Sequence, residues 1–166
     1  MLIRDEIAGD GPAISQLVTE SFLMRARSTG TEAGIVETLR ADEALALSLV
    51  AEDDGVTIGY LAASAARIGI EDGWRLIGPL AVVPSRHRQG IGTALMAEAI
   101  RRFRANSRGA VVVGDPGYYG RFGFRTFPSL WLAGVPREFV QALVFDGTEP
   151  RGELIHHPAF GLDQAE

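Results

Sequence analysis

Arg88-Gln89-Gly90-Ile91-Gly92-Thr93 lies between an apolar run, Leu80-Ala81-Val82-Val83-Pro84, and a strongly helical stretch over 94–104. Its two glycines let the backbone turn tightly and bring N–H groups close to a ligand. The first four N–H groups of a helix lack intrahelical partners, and the helix dipole makes that end partly positive. Such an end suits a phosphate anion, so the stretch argues for a ligand that carries a pyrophosphate.

Reading outward, Ile91, Leu95, Ala99 and Phe103 recur at i+4 and form the buried side of the helix, while Glu98, Arg101, Arg102 and Arg104 face water. The next apolar run, Ala110-Val111-Val112-Val113, reads as a fully buried fifth strand. A helix joins it to the strand before, so the two strands should be parallel with a right-handed crossover. That earlier strand, over 74–83, contains Gly78-Pro79. Proline donates nothing to a ladder, so the pair marks either a bulge or a place where the sheet parts. In the second case the backbone of Leu80, Ala81 and Val82 is open to an extended ligand.

Toward the N-terminus, residues 2–7 read as a first strand. Asp10 is a helix N-cap, and Ile14, Leu17, Val18 and Phe22 place an amphipathic helix over 11–23, ended by Ser28-Thr29-Gly30. Thr31 caps a second helix with Ile35, Val36 and Leu39 on its buried side. Leu45, Leu47 and Leu49 alternate as a strand, Asp53-Asp54-Gly55 is a hairpin turn, and 56–66 returns, relieved at Gly59. Glu71-Asp72-Gly73 turns the chain into the strand at 74–83. Gly134-Val135-Pro136 is a turn, and 141–145 and 153–156 read as strands.

The chain has 166 residues, 46% hydrophobic and 22% charged, which suits one folded domain with a real core. No apolar run reaches the ~20 residues a spanning helix needs, and the start lacks the pattern of a signal peptide. With no cysteine, disulfides and thiol catalysis are excluded, and a cytoplasmic setting is expected. A net charge of −5 disfavours nonspecific nucleic-acid binding, so neither nucleic acid nor membrane is an expected partner. His156-His157 has no further His or Cys nearby and reads as a strand end, not a metal site.

The loop, written His87-Arg88-Gln89-Gly90-Ile91-Gly92, and Gly114-Asp115-Pro116-Gly117-Tyr118-Tyr119-Gly120-Arg121-Phe122-Gly123-Phe124 downstream together resemble the GNAT superfamily of acyl-CoA-dependent N-acyltransferases. The family loop is Gln/Arg-x-x-Gly-x-Gly/Ala, and its downstream segment ends Tyr-x-x-x-Gly-Phe. With Gly-Pro-Leu-Ala-Val upstream, the wording looks like the YhbS-like subgroup of predicted acetyltransferases. Three departures stand out. His87 replaces the first Gln/Arg, with Arg86 and Arg88 on either side to meet a phosphate. Asp115-Pro116 replaces an asparagine common after the fifth strand, and the fourth strand, read as 74–83, carries no glutamate.

The resemblance implies an α/β (α+β) GNAT fold: a mixed central sheet of six to seven strands, splayed at the cofactor site, with about four helices. It implies a single N-acetyltransferase domain over 1–166 with its motif core at 76–124. The co-substrate would be acetyl-CoA, with the pantetheine arm on the backbone of Leu80, Ala81 and Val82. The pyrophosphate would lie on that of Arg88, Gln89, Gly90, Ile91, Gly92 and Thr93. Tyr119 would be the general acid for the departing thiolate, since a phenol with a pKa of ~10 is protonated at neutral pH. Tyr118, Phe122, Phe124 and Phe127 read as core or pocket wall.

Asp115 reads either as a base or, preferably, as the cap of the next helix. Glu20, Glu37 and Glu71 have no assigned place, and water is an alternative base. The expected activity is direct acetyl transfer to a primary amine, a small-molecule acceptor being favoured over a peptide. A non-enzymatic acyl-CoA sensor is the rival. A nucleotide-binding loop fits worse, because Gly-x-x-x-x-Gly-Lys-Ser/Thr is absent and Gly90-Ile91-Gly92 has no third glycine in register. A homodimer is compatible with the resemblance.

Overall fold

The computed structural model describes residues 1–23 and 30–161. The proposed helix breaker Ser28-Thr29 lies outside the described residues. The chain forms two compact units, one of Met1–Ala63 with Pro79–Ala99, the other of Ser64–Gly78 with the chain from Ile100 onward.

In the first unit β1 (Leu2–Asp5) pairs antiparallel with β2 (Leu45–Asp53), from Leu2↔Glu52 to Asp5↔Leu49. β1 therefore stops two residues short of the 2–7 expected. Asp54 and Gly55 have φ of 50° and 76°, the two left-handed residues of a type I′ hairpin, and they lead into β3 (Val56–Ile68). Helices α1 (Gly11–Leu23) and α2 (Glu32–Ala41) cover this part of the sheet. Ile14, Leu17 and Val18 of α1 and Val36 of α2 pack with Val50, Tyr60, Ala62 and Ala81. Each large aliphatic side chain fully buried this way contributes roughly 1.5–3 kcal/mol.

Asp10 does not cap α1 through its side chain. Its carboxylate accepts instead from Arg4, at 2.8 and 3.1 Å, and from the Ile7 N–H at 2.8 Å. Thr31 stands at the N-cap of α2 without a capping side-chain bond.

A polar chain crosses this unit. Tyr60 Oη lies 2.7 Å from Ser48 Oγ, Ser48 Oγ donates to Glu6 at 2.6 Å, and Arg40 holds both Glu6 oxygens at 2.8 and 3.0 Å. Burial pushes the Tyr60 phenol up to about 12, a displacement eased by its bond to Ser48. Burial alone would raise Glu6 as well, but its bonds from Arg40 and Ser48 outweigh that and hold it below the usual carboxylate value.

In the second unit β4 (Glu71–Val82) pairs parallel with β5 (Gly109–Val113), from Trp74↔Gly109 to Leu76↔Val111. The register stops there, two residues before Gly78-Pro79. β5 runs antiparallel to β7 (Val140–Val144), and β8 (Gly152–Ile155) pairs with the end of β3 and with β6 (Leu130–Trp131). The core gathers Trp74, Leu76, Val111, Phe127, Leu130, Val140 and Leu154.

Among the described residues the mixed sheet thus has eight strands, not six to seven. The additional one is β6, too short to leave a period in the sequence. The turn before β4 is Gly69-Ile70, with Gly69 at φ 60°, not Glu71-Asp72-Gly73. Gly73, at φ 92°, lies inside β4, where its carbonyl accepts from Arg108 N–H and an added Cβ would meet the Arg108 side chain at 3.2 Å.

Candidate functional site

In the first unit the end of β4 and the start of α3 (Ile91–Arg104) carry the predicted cofactor residues. Helix α3 begins at Ile91, three residues ahead of the stretch over 94–104 read as helical. Its first intrahelical bond is Ala94 N–H to the Gly90 carbonyl at 3.0 Å, so the amides of Ile91, Gly92 and Thr93 precede the hydrogen-bonded ladder. Gly90 has φ 82°, and nothing lies within 4 Å of where its Cβ would stand. The helix mouth is therefore open at the glycine, as a bound diphosphate requires.

Gly59 sets the depth at which the helix lies. A Cβ there would come within 2.8 Å of Ile91 Cγ2 and 3.0 Å of Leu95 Cδ1. The strand glycine thus works by close approach, which its reading as strand relief did not capture.

The Val83 N–H donates to the Ile58 carbonyl at 2.9 Å, which fixes the alternation along the end of β4. Leu80 and Val82 direct their peptide groups to the edge away from β3, while Ala81 turns its own toward β3 and packs its methyl in the core.

The loop between β4 and α3 is tied from within. His87 Nε2 lies 2.9 Å from the Val82 carbonyl; a carbonyl only accepts, so Nε2 carries the proton. Arg86 donates to Asp53 Oδ2 and to Gln89 Oε1, each at 2.9 Å, which directs it away from the phosphate role considered for it. The Arg86 guanidinium also holds the Asp53 carboxyl below its ordinary value. Arg88, exposed and at φ 64°, has no hydrogen bond or ion pair among the described residues.

In the second unit α4 (Pro116–Tyr119) follows β5. Asp115 caps it, its Oδ1 accepting the Gly117 N–H at 2.9 Å, which is the cap reading and not the base reading. The Tyr119 ring packs edge-on against Tyr118 at 5.0 Å and Phe124 at 6.0 Å between centroids. Gly114 lies directly against it, since a Cβ there would be 2.8 Å from Tyr119 Cε2. Tyr118 packs on Phe122 at 5.5 Å with Arg121 over its face at 4.7 Å. Phe124 and Phe127 are buried. His156 Nδ1 donates to the His157 carbonyl, and His157 caps a short turn by accepting the Ala159 N–H. No group of His, Asp and Glu among the described residues could hold a metal ion, and no described helix is long and apolar enough to cross a membrane.

These features can be set beside known proteins. A family model described as an acetyltransferase (GNAT) domain matches residues 44–126, half of the chain, spanning both the glycine loop and the Tyr119 segment. The N-acetyltransferase YhbS of Escherichia coli (strain K12) is 42% identical over 127 residues, 75% of this chain and 73% of the relative. The crystal structure of YhbS from E. coli in complex with CoA superposes with a TM-score of 0.88 at 33% identity, covering 96% of this chain and 91% of that one. A GNAT family acetyltransferase from Brucella melitensis, in complex with acetyl-CoA, gives 0.85 at 40% identity, over 96% and 97% of the two chains. Family model, sequence relative and both structures agree: the chain is an enzyme of the GNAT family of N-acetyltransferases.

Proposed function

We propose that the protein transfers an acetyl group from acetyl-CoA to a primary amine, with a small molecule as the favoured acceptor. The observation that carries this reading is the helix mouth. The amides of Ile91, Gly92 and Thr93 precede the first intrahelical bond, behind a glycine with open space before it. The relatives named above were crystallised with acetyl-CoA or CoA, which supports the same ligand here. In this reading the amides of 88–93 take the diphosphate, with the unpaired Arg88 beside them, and the edge of β4 at Leu80 and Val82 takes the pantetheine amides. The chain acts as a single domain over 1–166 with its motif core at 76–124, in a cytoplasmic setting that the lack of cysteine suits.

The chemistry is direct attack. The neutral amine adds to the thioester carbonyl, the C–N bond forms and the C–S bond breaks. The Tyr119 phenol gives its proton to the departing thiolate, the ammonium proton leaves to water, and the phenolate regains a proton from water. With no cysteine in the chain, no thiol is present to form an acyl-enzyme. Holding the reactants together supplies several kcal/mol of the barrier reduction.

The test incubates the protein with acetyl-CoA and a panel of small amines and peptides while free CoA thiol is followed. Acetylated small amine with stoichiometric thiol is expected. Acetylation of peptides alone would reassign the acceptor, and tight CoA binding without release over the whole panel would favour a sensor.

A further inference from the structure

The first motif position holds His87 where the family places Gln or Arg, and its ring has a defined partner. His87 Nε2 donates to the Val82 carbonyl at 2.9 Å. That carbonyl belongs to the outward edge of β4, and its second lone pair stays available to a ligand N–H. His87 itself immediately precedes Arg88, whose left-handed φ of 64° begins the turn into the helix mouth. On its other flank Arg86 is pinned by Asp53 at the end of β2 and by Gln89 within the loop. The loop is therefore fixed by its own side chains, and His87 supplies a direct side-chain bond between the loop and the β4 edge.

Resting on the coenzyme A reading, we infer that His87 is a positioning residue that sets the spacing between the β4 edge and the helix-mouth amides. The ligand joins those two places through a chain of fixed length: pantetheine amides at one end, diphosphate at the other. A bond that holds the two protein surfaces at one separation matches them to that length before the ligand arrives, which lowers the ordering cost of binding. His87 touches neither end of the ligand in this role. It acts through Val82.

This arrangement makes a distinction that simple support of the loop does not. Losing the bond should weaken a ligand that spans both places and spare one that uses the helix mouth alone. The probes are CoA and 3′-phosphoadenosine 5′-diphosphate, which keeps the diphosphate and lacks the pantetheine arm, each titrated calorimetrically into the full chain. His87→Ala should weaken CoA by about fivefold, the size of one lost hydrogen bond, and change the fragment by less than about twofold. His87→Gln, whose amide N–H2 reaches the same carbonyl, should stay within about twofold of the parent for both probes.

Equal weakening of both probes by His87→Ala, no weakening of CoA, or a His87→Gln variant as impaired as the alanine would each overturn the inference. These outcomes are distinct from a failure of the underlying reading, which would appear as a parent protein that gives no heat with CoA.

Discussion

The ring of Tyr119 leans on Gly114 so closely that a Cβ on the glycine would fall 2.8 Å from the ring's Cε2. No L side chain can stand at 114 unless the tyrosine moves. Gly114→Ala is expected to cut kcat by about tenfold or more, because a displaced Tyr119 would lose the geometry that its proposed role as general acid requires. The same overpacking should cost about 1–3 kcal/mol of stability. Steady-state kinetics with chemical denaturation checks both, and a variant with parental kcat would show that the position of Tyr119 is immaterial.

Tyr119→Phe keeps the ring, and with it the packing on Tyr118 and Phe124, while removing the hydroxyl. kcat should fall by about a hundredfold, the scale of a lost general acid, with CoA affinity unchanged. An unchanged kcat from about pH 6 to 9 would take the tyrosine out of its assigned role.

Gly59→Ala tests how the helix mouth is held. The new methyl would press on Ile91 and Leu95 at 2.8 and 3.0 Å, both deep in the packed face of α3. Stability should fall by about 1–3 kcal/mol, and CoA affinity should fall with it as the first turn of the helix is displaced. Thermal unfolding with and without CoA reads both effects. Parental values in each would mean that the helix position is set elsewhere.

The polar chain from Tyr60 through Ser48 and Glu6 to Arg40 gives stability two pH edges. Tyr60 is raised from 10.0 to about 12 on folding. Its neutral form is favoured in the fold, so its contribution is complete below pH 10 and is lost as pH climbs from 10 toward 12. Glu6 is held below 4.5, so its contribution is present above that value and fades as pH falls through the folded value. Unfolding midpoints measured against pH should show both losses in the parent. Tyr60→Phe should remove the alkaline one, and Glu6→Gln should reduce the acid one, to which the lowered Asp10 and Asp53 carboxyls also contribute. A parent whose alkaline edge survives in Tyr60→Phe would contradict the assignment.

Much of the fold was legible because its signals are local. Ile14, Leu17 and Val18 repeat at helical spacing, and α1 spans 11–23 as that repeat requires. Ile91, Leu95 and Ala99 do the same for α3, and the turn at Asp54-Gly55 has the positive φ its residues accept. What the sequence hid depends on partners distant along the chain. Asp10 stands at the N-cap position, its carbonyl accepting from the Ile14 N–H, but Arg4 and the Ile7 amide claim its carboxylate. Gly73 looked like a turn, but its backbone accommodates Arg108, 35 residues on. β6 exists only as a two-residue partner of β8.

At the candidate site the helix mouth could be read from its glycines alone. The bond from His87 to Val82 could not, because a histidine at a Gln/Arg position signals a change without saying what the ring will reach. Gly114 and Gly59 offered no signal either: both have a ring or methyl group packed against them, and sequence spacing does not say which side chain will lie there.

Amide hydrogen exchange with and without CoA, resolved residue by residue, tests most directly whether the helix mouth and the β4 edge hold the coenzyme. CoA should slow exchange at Ile91, Gly92 and Thr93 and at Leu80 and Val82, by about tenfold or more at saturation. Unchanged exchange at all five amides under saturating CoA would contradict that placement of the coenzyme.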